Sequence, residues 1–433
     1  MAGAVSHLLG NFNPSGGSGG SGFGALAYQS AAGQNLDAGV AITWDADAYD
    51  VTDWHSTSTD TNRFTVDGSV GLIRLTSNIT VQSAATVLMA HRFEGAEFMG
   101  GGKCETVDGT SSGSTQNSNN IASAILVVSG GWFETYGLTG VSVSTVVENT
   151  WASIEEIDGA LKRVLAKKTA NQAIGAGTST VMAWAAEEYD TDGFHDNSTN
   201  NSRLTAPATG RYRVTANLEA ASVAVGQFIV SMLRNGASAR GLAARDVDTT
   251  NEEYVNAVSA VIELTAGDYI ESTAFHSNAV NIIAGNGSWF AMEEVPSAYQ
   301  CCLVYKSANQ SITTNTNTAV AFGAEIYDDA TMHDNSTNNS RIVVPAGCTR
   351  ARPSFGLATP SQTGQKVAQV FLNGATYVGA PRFENDTAGG EFLSGFGAWV
   401  DVVPGDYFEV MFLSTGALTL ADSNSTWFCL ECQ

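Results

Sequence analysis

The nonapeptide HDNSTNNSR stands twice in this 433-residue chain, at residues 195–203 and 333–341. Its surroundings keep one register. Tyr189-Asp190 and Tyr327-Asp328 lead into it, with His195 and His333 six residues after the tyrosine and Arg203 and Arg341 eight after the histidine. A third stretch, Tyr49-Asp50 with His55 and Arg63, keeps that spacing but reads His55-Ser56-Thr57-Ser58 in between. Self-similarity at a fixed long period marks repeated structural units. Working outward, Trp151, Trp289 and Trp427 are 138 residues apart at both steps, and Gly267-Asp268-Tyr269-Ile270-Glu271 matches Gly405-Asp406-Tyr407-Phe408-Glu409. Gly130-Gly131-Trp132-Phe133-Glu134 is the diverged first version, and Asn171-Gln172 and Asn309-Gln310 precede their tyrosines identically. The chain therefore divides into an arm at 1–24 and three units at 25–157, 158–299 and 300–433, each of a size that folds alone.

Within a unit the pattern is that of β structure. Tyr212, Val214, Ala216 and Leu218 alternate with Arg211, Arg213, Thr215, Asn217 and Glu219, which predicts a strand with one face on a core and the polar face in water. Phe408, Val410 and Phe412 repeat the alternation. Asn235-Gly236 and Asn373-Gly374 each follow an apolar run and suit the positive φ angles of a type I′ hairpin turn. Eight to ten strands per unit imply an all-β fold: three tandem antiparallel two-sheet sandwiches with little helix.

Composition narrows the function. Forty-five glycines suit short strands and turns, and a net charge of -23 repels nucleic-acid phosphates and anionic lipid over most of the surface. No run nears the roughly 20 apolar residues of a membrane helix, and the first ten residues lack the basic start of a secretory signal. Neither nucleic acid nor a membrane is thus an expected partner. Residues 13–24, NPSGGSGGSGFG, have the composition of a flexible linker, so the preceding arm, with Leu8, Leu9 and Phe12, is a candidate anchor to a partner surface. Five of six cysteines (Cys301, Cys302, Cys348, Cys429 and Cys432) lie in the last third, so no disulfide framework spans the chain. Cys429 and Cys432 have C-x-x-C spacing without a second Cys/His pair at finger-like distance, and buried or incidentally paired thiols are the simpler reading.

The second unit, from Tyr189-Asp190-Thr191-Asp192-Gly193-Phe194-His195 through Arg203-Leu204-Thr205-Ala206-Pro207 to Gly210-Arg211-Tyr212, resembles the globular head of the complement C1q and tumour-necrosis-factor superfamily. Arg234-Asn235-Gly236, Gly267-Asp268-Tyr269 and Ser288-Trp289-Phe290 strengthen the resemblance. The His-Asp-Asn-Ser-Thr loop is similar to the variant found in phage tail and head-surface proteins. The likeness covers nearly all of 161–299, most of 301–433 and, weakly, 25–157. The first unit has Val66-Asp67-Gly68 where the others carry proline, and the third reads Pro345-Ala346-Gly347-Cys348 without the aromatic. The resemblance implies a ten-stranded jelly roll that associates as trimers and binds or builds rather than catalyses. It also implies that both termini of a unit lie at one end. The connectors at 156–161 and 295–301 have about five residues and reach roughly 17 to 20 Å. That suffices for side-by-side units around a pseudo-threefold axis and not for end-to-end stacking, so an intrachain pseudo-trimer is expected.

Candidate site residues cluster in the repeated loop. His55, His195 and His333, with Asp196 and Asp334, are the possible metal donors, calcium included, but imidazole mixed with Asp and Asn oxygens is an uneven donor set. A loop whose side chains satisfy its own backbone is the commoner arrangement. His195, Asp196, Ser198 and Ser202 are too close in sequence to act in series as a triad, and there is no G-x-S-x-G elbow, so no enzyme and no cofactor are expected. Arg63, Arg203 and Arg341 are expected to pair with Asp50, Asp190 and Asp328 across the loop. Trp54 and Phe194 precede their histidines and are candidate contacts to a partner, with Met332 in the third position. Together these point to a virion surface protein made in the host cytoplasm. It would bind a major capsid or other virion protein as decoration or head fibre, the alternative being a tail-fibre protein that recognises host glycans.

Overall fold

A computed structural model describes residues 24–31, 33–82, 87–106, 117–139, 142, 144–221, 226–249, 253–361, 364–385 and 391–433. Among these residues every regular element is a strand and every pairing is antiparallel. Leu8, Leu9 and Phe12 lie outside the described residues.

One pairing scheme occurs three times. In the first unit a sheet runs Ala46–Asp50, Gly24–Tyr28, Trp151–Glu156, Leu72–Val81, Asn117–Ala122. A second sheet runs Val40–Ala41, Gly131–Leu138, Val87–Phe93, Lys103–Thr106, with Phe64–Val66 added to Gly131–Leu138. The second unit repeats the order as Ala186–Asp190, Arg163–Lys167, Trp289–Glu294, Gly210–Ala220, Glu253–Val258, and the third as Ala324–Asp328, Gln300–Tyr305, Trp427–Cys432, Arg350–Thr359, Glu391–Phe396. Strands pair within their own unit throughout. The chain thus passes repeatedly between two facing sheets, and the first and last strands of a unit pair, which makes each unit a jelly roll. The Asn-Gly turns form as their chemistry requires: Asn235 and Gly236 have φ of 52° and 79°, and Arg234 and Ala237 exchange backbone hydrogen bonds of 2.8 and 3.0 Å.

Between the sheets, Tyr212, Val214, Ala216 and Leu218 are fully buried, as alternation requires. The opposite face overturns one expectation. Arg213, Thr215 and Asn217 do not face water; all three are buried. The same holds for Arg74, Thr76 and Asn78, and for Arg352 and Ser354. The sheet containing each of these strands packs its polar face against the other units, so that face meets protein polar groups instead of solvent.

The six cysteines are buried and unbridged. Cys429 and Cys432 stand three apart on one strand and point to opposite faces: Cys429 lies beside Tyr327, and Cys432 packs into the main core.

Candidate functional site

The repeated loop is built on its aspartate. Asp190 accepts backbone N–H bonds from Asp192 (3.2 Å), Gly193 (2.9 Å) and Phe194 (3.0 Å) on one oxygen, and from His195 (2.9 Å) on the other. Asp328 caps Ala330, Met332 and His333 in the same way, and Asp50 caps Thr52, Trp54 and His55. The predicted pairing of these aspartates with arginine is therefore corrected. Arg203 instead lies opposite Glu271 on the neighbouring strand (3.4 Å) with its guanidinium 3.9 Å from the Tyr269 ring centroid. Arg341 repeats this with Glu409 and Tyr407, and Arg63 sits over Trp132 beside Asp60. The carboxylate is already saturated by backbone donors, and strand register carries the arginine away from it.

The histidines are enclosed. His55 Nδ1 faces Asp47 at 2.6 Å, His195 Nδ1 faces Glu187 at 2.7 Å and His333 Nδ1 faces Glu325 at 3.0 Å. Each Nε2 faces a carbonyl oxygen, that of Thr61, Asn201 or Asn339, at 3.1 to 3.2 Å. Both ring nitrogens of each histidine thus face an acceptor inside the protein, and neither is turned outward to a metal. For His55 burial opposes the charge, but the Asp47 and Thr61 bonds outweigh it and its pKa is raised. Asp196 caps Ser198 and Thr199, and Asp334 caps Ser336 and Thr337; these backbone donors pull the exposed Asp334 carboxyl down to about 2. In the first unit Ser56 takes over that role, accepting from Thr59 at 3.1 Å. Among the described residues no three His, Cys, Asp or Glu side chains cluster as metal ligands.

Trp54 and Phe194 are not available to a partner. They are 5% and 1% exposed, as Met332 is at 1%, because the aspartate cap folds the turn so that this residue drops between the sheets. Phe194 there meets Tyr212 edge-on.

The densest polar constellation lies elsewhere, where the three units meet. Arg74 pairs with Glu155 of its own unit and Glu293 of the second. Arg213 pairs with Glu293 (2.6 Å) and with Glu431 of the third, and Arg352 pairs with Glu431 (3.1 Å) and with Glu155 of the first (2.6 Å). Three arginines and three glutamates thus close a ring through all three units. Burial works against the Glu155 carboxylate, yet Arg352 and Arg74 hold it down at about 2. Further contacts follow the same cycle. Trp289 Nε1 donates to Gly101 O, Trp427 Nε1 to Leu242 O and Trp151 Nε1 to Ala380 O, at 3.0 to 3.1 Å. A Cβ added at Gly100, Gly241 or Gly379 would stand about 3 Å from Leu165, Leu303 or Leu26 of the next unit, which accounts for glycine there. The sequence holds a trace of the ring that the loop motif overshadowed: Arg74, Arg213 and Arg352 are 139 apart, and Glu155, Glu293 and Glu431 are 138 apart.

No family model matches the sequence, and no curated protein does. Among solved structures the chain is similar to murine APRIL at pH 5.0, with 12% identity, a TM-score of 0.26, and coverage of 31% of this chain and 99% of that one. It is similar to a chain of an archaeal virus described by its triple jelly roll fold and turret assembly (11% identity, TM-score 0.20, 94% and 89% covered). It is also similar to a chain of Sulfolobus Turreted Icosahedral Virus (11% identity, TM-score 0.19, 86% and 81% covered). The jelly-roll description rests on the strand pairing of this chain itself.

Proposed function

We propose that this chain is a single-polypeptide counterpart of a jelly-roll trimer and serves as a non-enzymatic structural protein on the surface of a virus particle, as a capsid decoration or head-fibre protein of a phage. The observation that carries this reading is the closed ring of Arg74, Arg213 and Arg352 with Glu155, Glu293 and Glu431, in which each unit supplies one arginine to the next and the last returns to the first. Such a ring ties three lobes into one rigid body. The aspartate and histidine of each repeated loop are engaged within the loop and the strand that leads into it. Both features suit a structural role, and the resemblance of the His-Asp-Asn-Ser-Thr loop to phage surface proteins favours the particle surface as its place. The acidic surface favours solubility when many copies are displayed together.

Attachment is assigned to the arm at 1–24, with a capsid protein as the partner. Electron microscopy of purified particles tests the reading: three-lobed density on the capsid is expected, and density at a tail tip, together with binding on a glycan array, would replace it with receptor recognition. Removing residues 1–23, which stops short of the first strand at Gly24, should abolish attachment to particles while leaving the melting temperature of the remainder unchanged. Undiminished attachment would overturn the anchor.

A further inference from the structure

The ring of charges is threefold in character, but the residues packed along the centre are not. Strand pairing fixes which positions correspond: Ala122 lies opposite Thr76, Val258 opposite Thr215 and Phe396 opposite Ser354. These three unlike side chains pack on one another as a separate buried cluster. A single aromatic ring, from the third unit, fills this layer. All three ring arginines converge on it: Arg352, Arg213 and Arg74 stand 4.7, 5.0 and 6.0 Å from the centroid of Phe396. One ring, one Val and one Ala fill the space, whereas three phenylalanines would overpack it and three alanines would leave a void.

A second layer shows the same division. Cys104 lies opposite Met89, Arg245 opposite Val230 and Phe383 opposite Ala368, again corresponding positions. Arg245 is buried and reaches into the other units: it donates to the Asn119 side chain (2.6 Å) and the Asn120 carbonyl of the first, and its guanidinium stands 4.0 Å from the Phe383 ring of the third. Val255 and Leu393 occupy the positions that correspond to Asn119, so only the first unit offers that acceptor. Three copies of the second unit would bring three buried guanidiniums together with no Asn119 to receive them.

We infer that the three units have diverged into complementary parts of one shared core, so that none can trimerise with copies of itself and none can be replaced by another. This rests on the single-chain-trimer reading above and deepens it: the interaction surface of each unit is specific for the two unlike units of its own chain. Any strand exchange between chains would have to reproduce the full set of three.

The first unit allows a direct test, because the Ala122 backbone is held as the Phe396 backbone is. Asn256 bonds the N–H and carbonyl of Ala122 at 2.9 and 3.0 Å, and Asn120 bonds those of Phe396 at 2.9 and 3.1 Å. Phe396→Ala, Ala122→Phe and the double variant are made in the full chain and melted, with solution mass measured in parallel. Each single variant is expected to lower the melting temperature by several degrees, and the double variant to recover at least half of the combined loss, because the ring is returned to the same space from another unit. Where Phe396→Ala does not fold, Phe396→Leu with Ala122→Val is read in the same way. Losses that simply add, in a protein whose mass is that of one chain, overturn the shared-core inference and leave the single-chain trimer standing. A wild-type mass of three chains joined through these residues overturns the single-chain reading itself.

Discussion

Asp190 and Arg203 are the same distance apart in sequence as Asp50 and Arg63, and opposite charge at a repeated spacing invites a salt bridge that the loop does not make. The carboxylate accepts four backbone N–H groups, of which those of Phe194 and His195 are partly buried, and leaving buried donors without an acceptor costs about 1–3 kcal/mol. Arg203, a third exposed, pairs with Glu271 in partial contact with solvent, where such a pair contributes about 0–1 kcal/mol. Asp190→Ala is therefore expected to destabilise the protein more than Arg203→Ala in urea unfolding, and the reverse order would refute the cap as the loop's organiser. The His55 ring adds a pH dependence. Its folded pKa lies above the unfolded value near 6.5, so its contribution is fully present below that value and is lost as pH rises through the folded pKa. The stability difference between wild type and His55→Gln should thus be largest in mild acid and shrink towards alkaline pH; a difference constant from pH 5 to 9 would contradict it.

At the scale of an element, the edge of the first strand in each unit carries a substitution with a readable consequence. Lys168 and Lys306 donate to Gln172 and Gln310 and to the carbonyls of Ala183 and Ala321, while the first unit has Gln29 in the corresponding place, donating to Thr43 O. Burial lowers the Lys168 pKa to about 8. The unfolded chain, near 10.5, then binds more protons than the folded one between those values, so stability contributed through this group rises as pH climbs from about 8 to about 10.5. Lys168→Gln should remove that rise, as shown by melting temperatures of the two proteins across the same interval. The alternation of Arg211 to Glu219 made this kind of strand legible from residue types alone. It could not say what lies beyond the polar face, because water and a polar protein surface impose the same pattern.

For the whole molecule, the ring of charges is the feature whose removal should be felt most. Arg213 is buried and bridges two units, and its loss leaves the buried Glu293 short of one partner and the buried Glu431 of another. Breaking one side of a buried pair costs about 3–5 kcal/mol, so Arg213→Ala is expected to lower the melting temperature much further than Arg203→Ala and to loosen all three units together. Hydrogen exchange confined to the second unit would argue against a common closure. Replacement of the whole ring by apolar residues of similar volume is a separate case, since a well-packed apolar centre is often no less stable than a buried ion ring.

Residue identities by themselves determined the threefold repetition, the all-β class, the Asn-Gly turns and the apolar face of each strand, because those properties depend on local spacing and turn chemistry. Tertiary structure alone decided that Arg213, Thr215 and Asn217 meet other units and not water, that Asp190 serves the backbone, and that Phe194 is enclosed. It also decided how Ala122, Val258 and Phe396 share one space. Each of these depends on which distant surfaces are brought together, and a pattern of polar and apolar residues along a strand is the same whichever neighbour lies across from it.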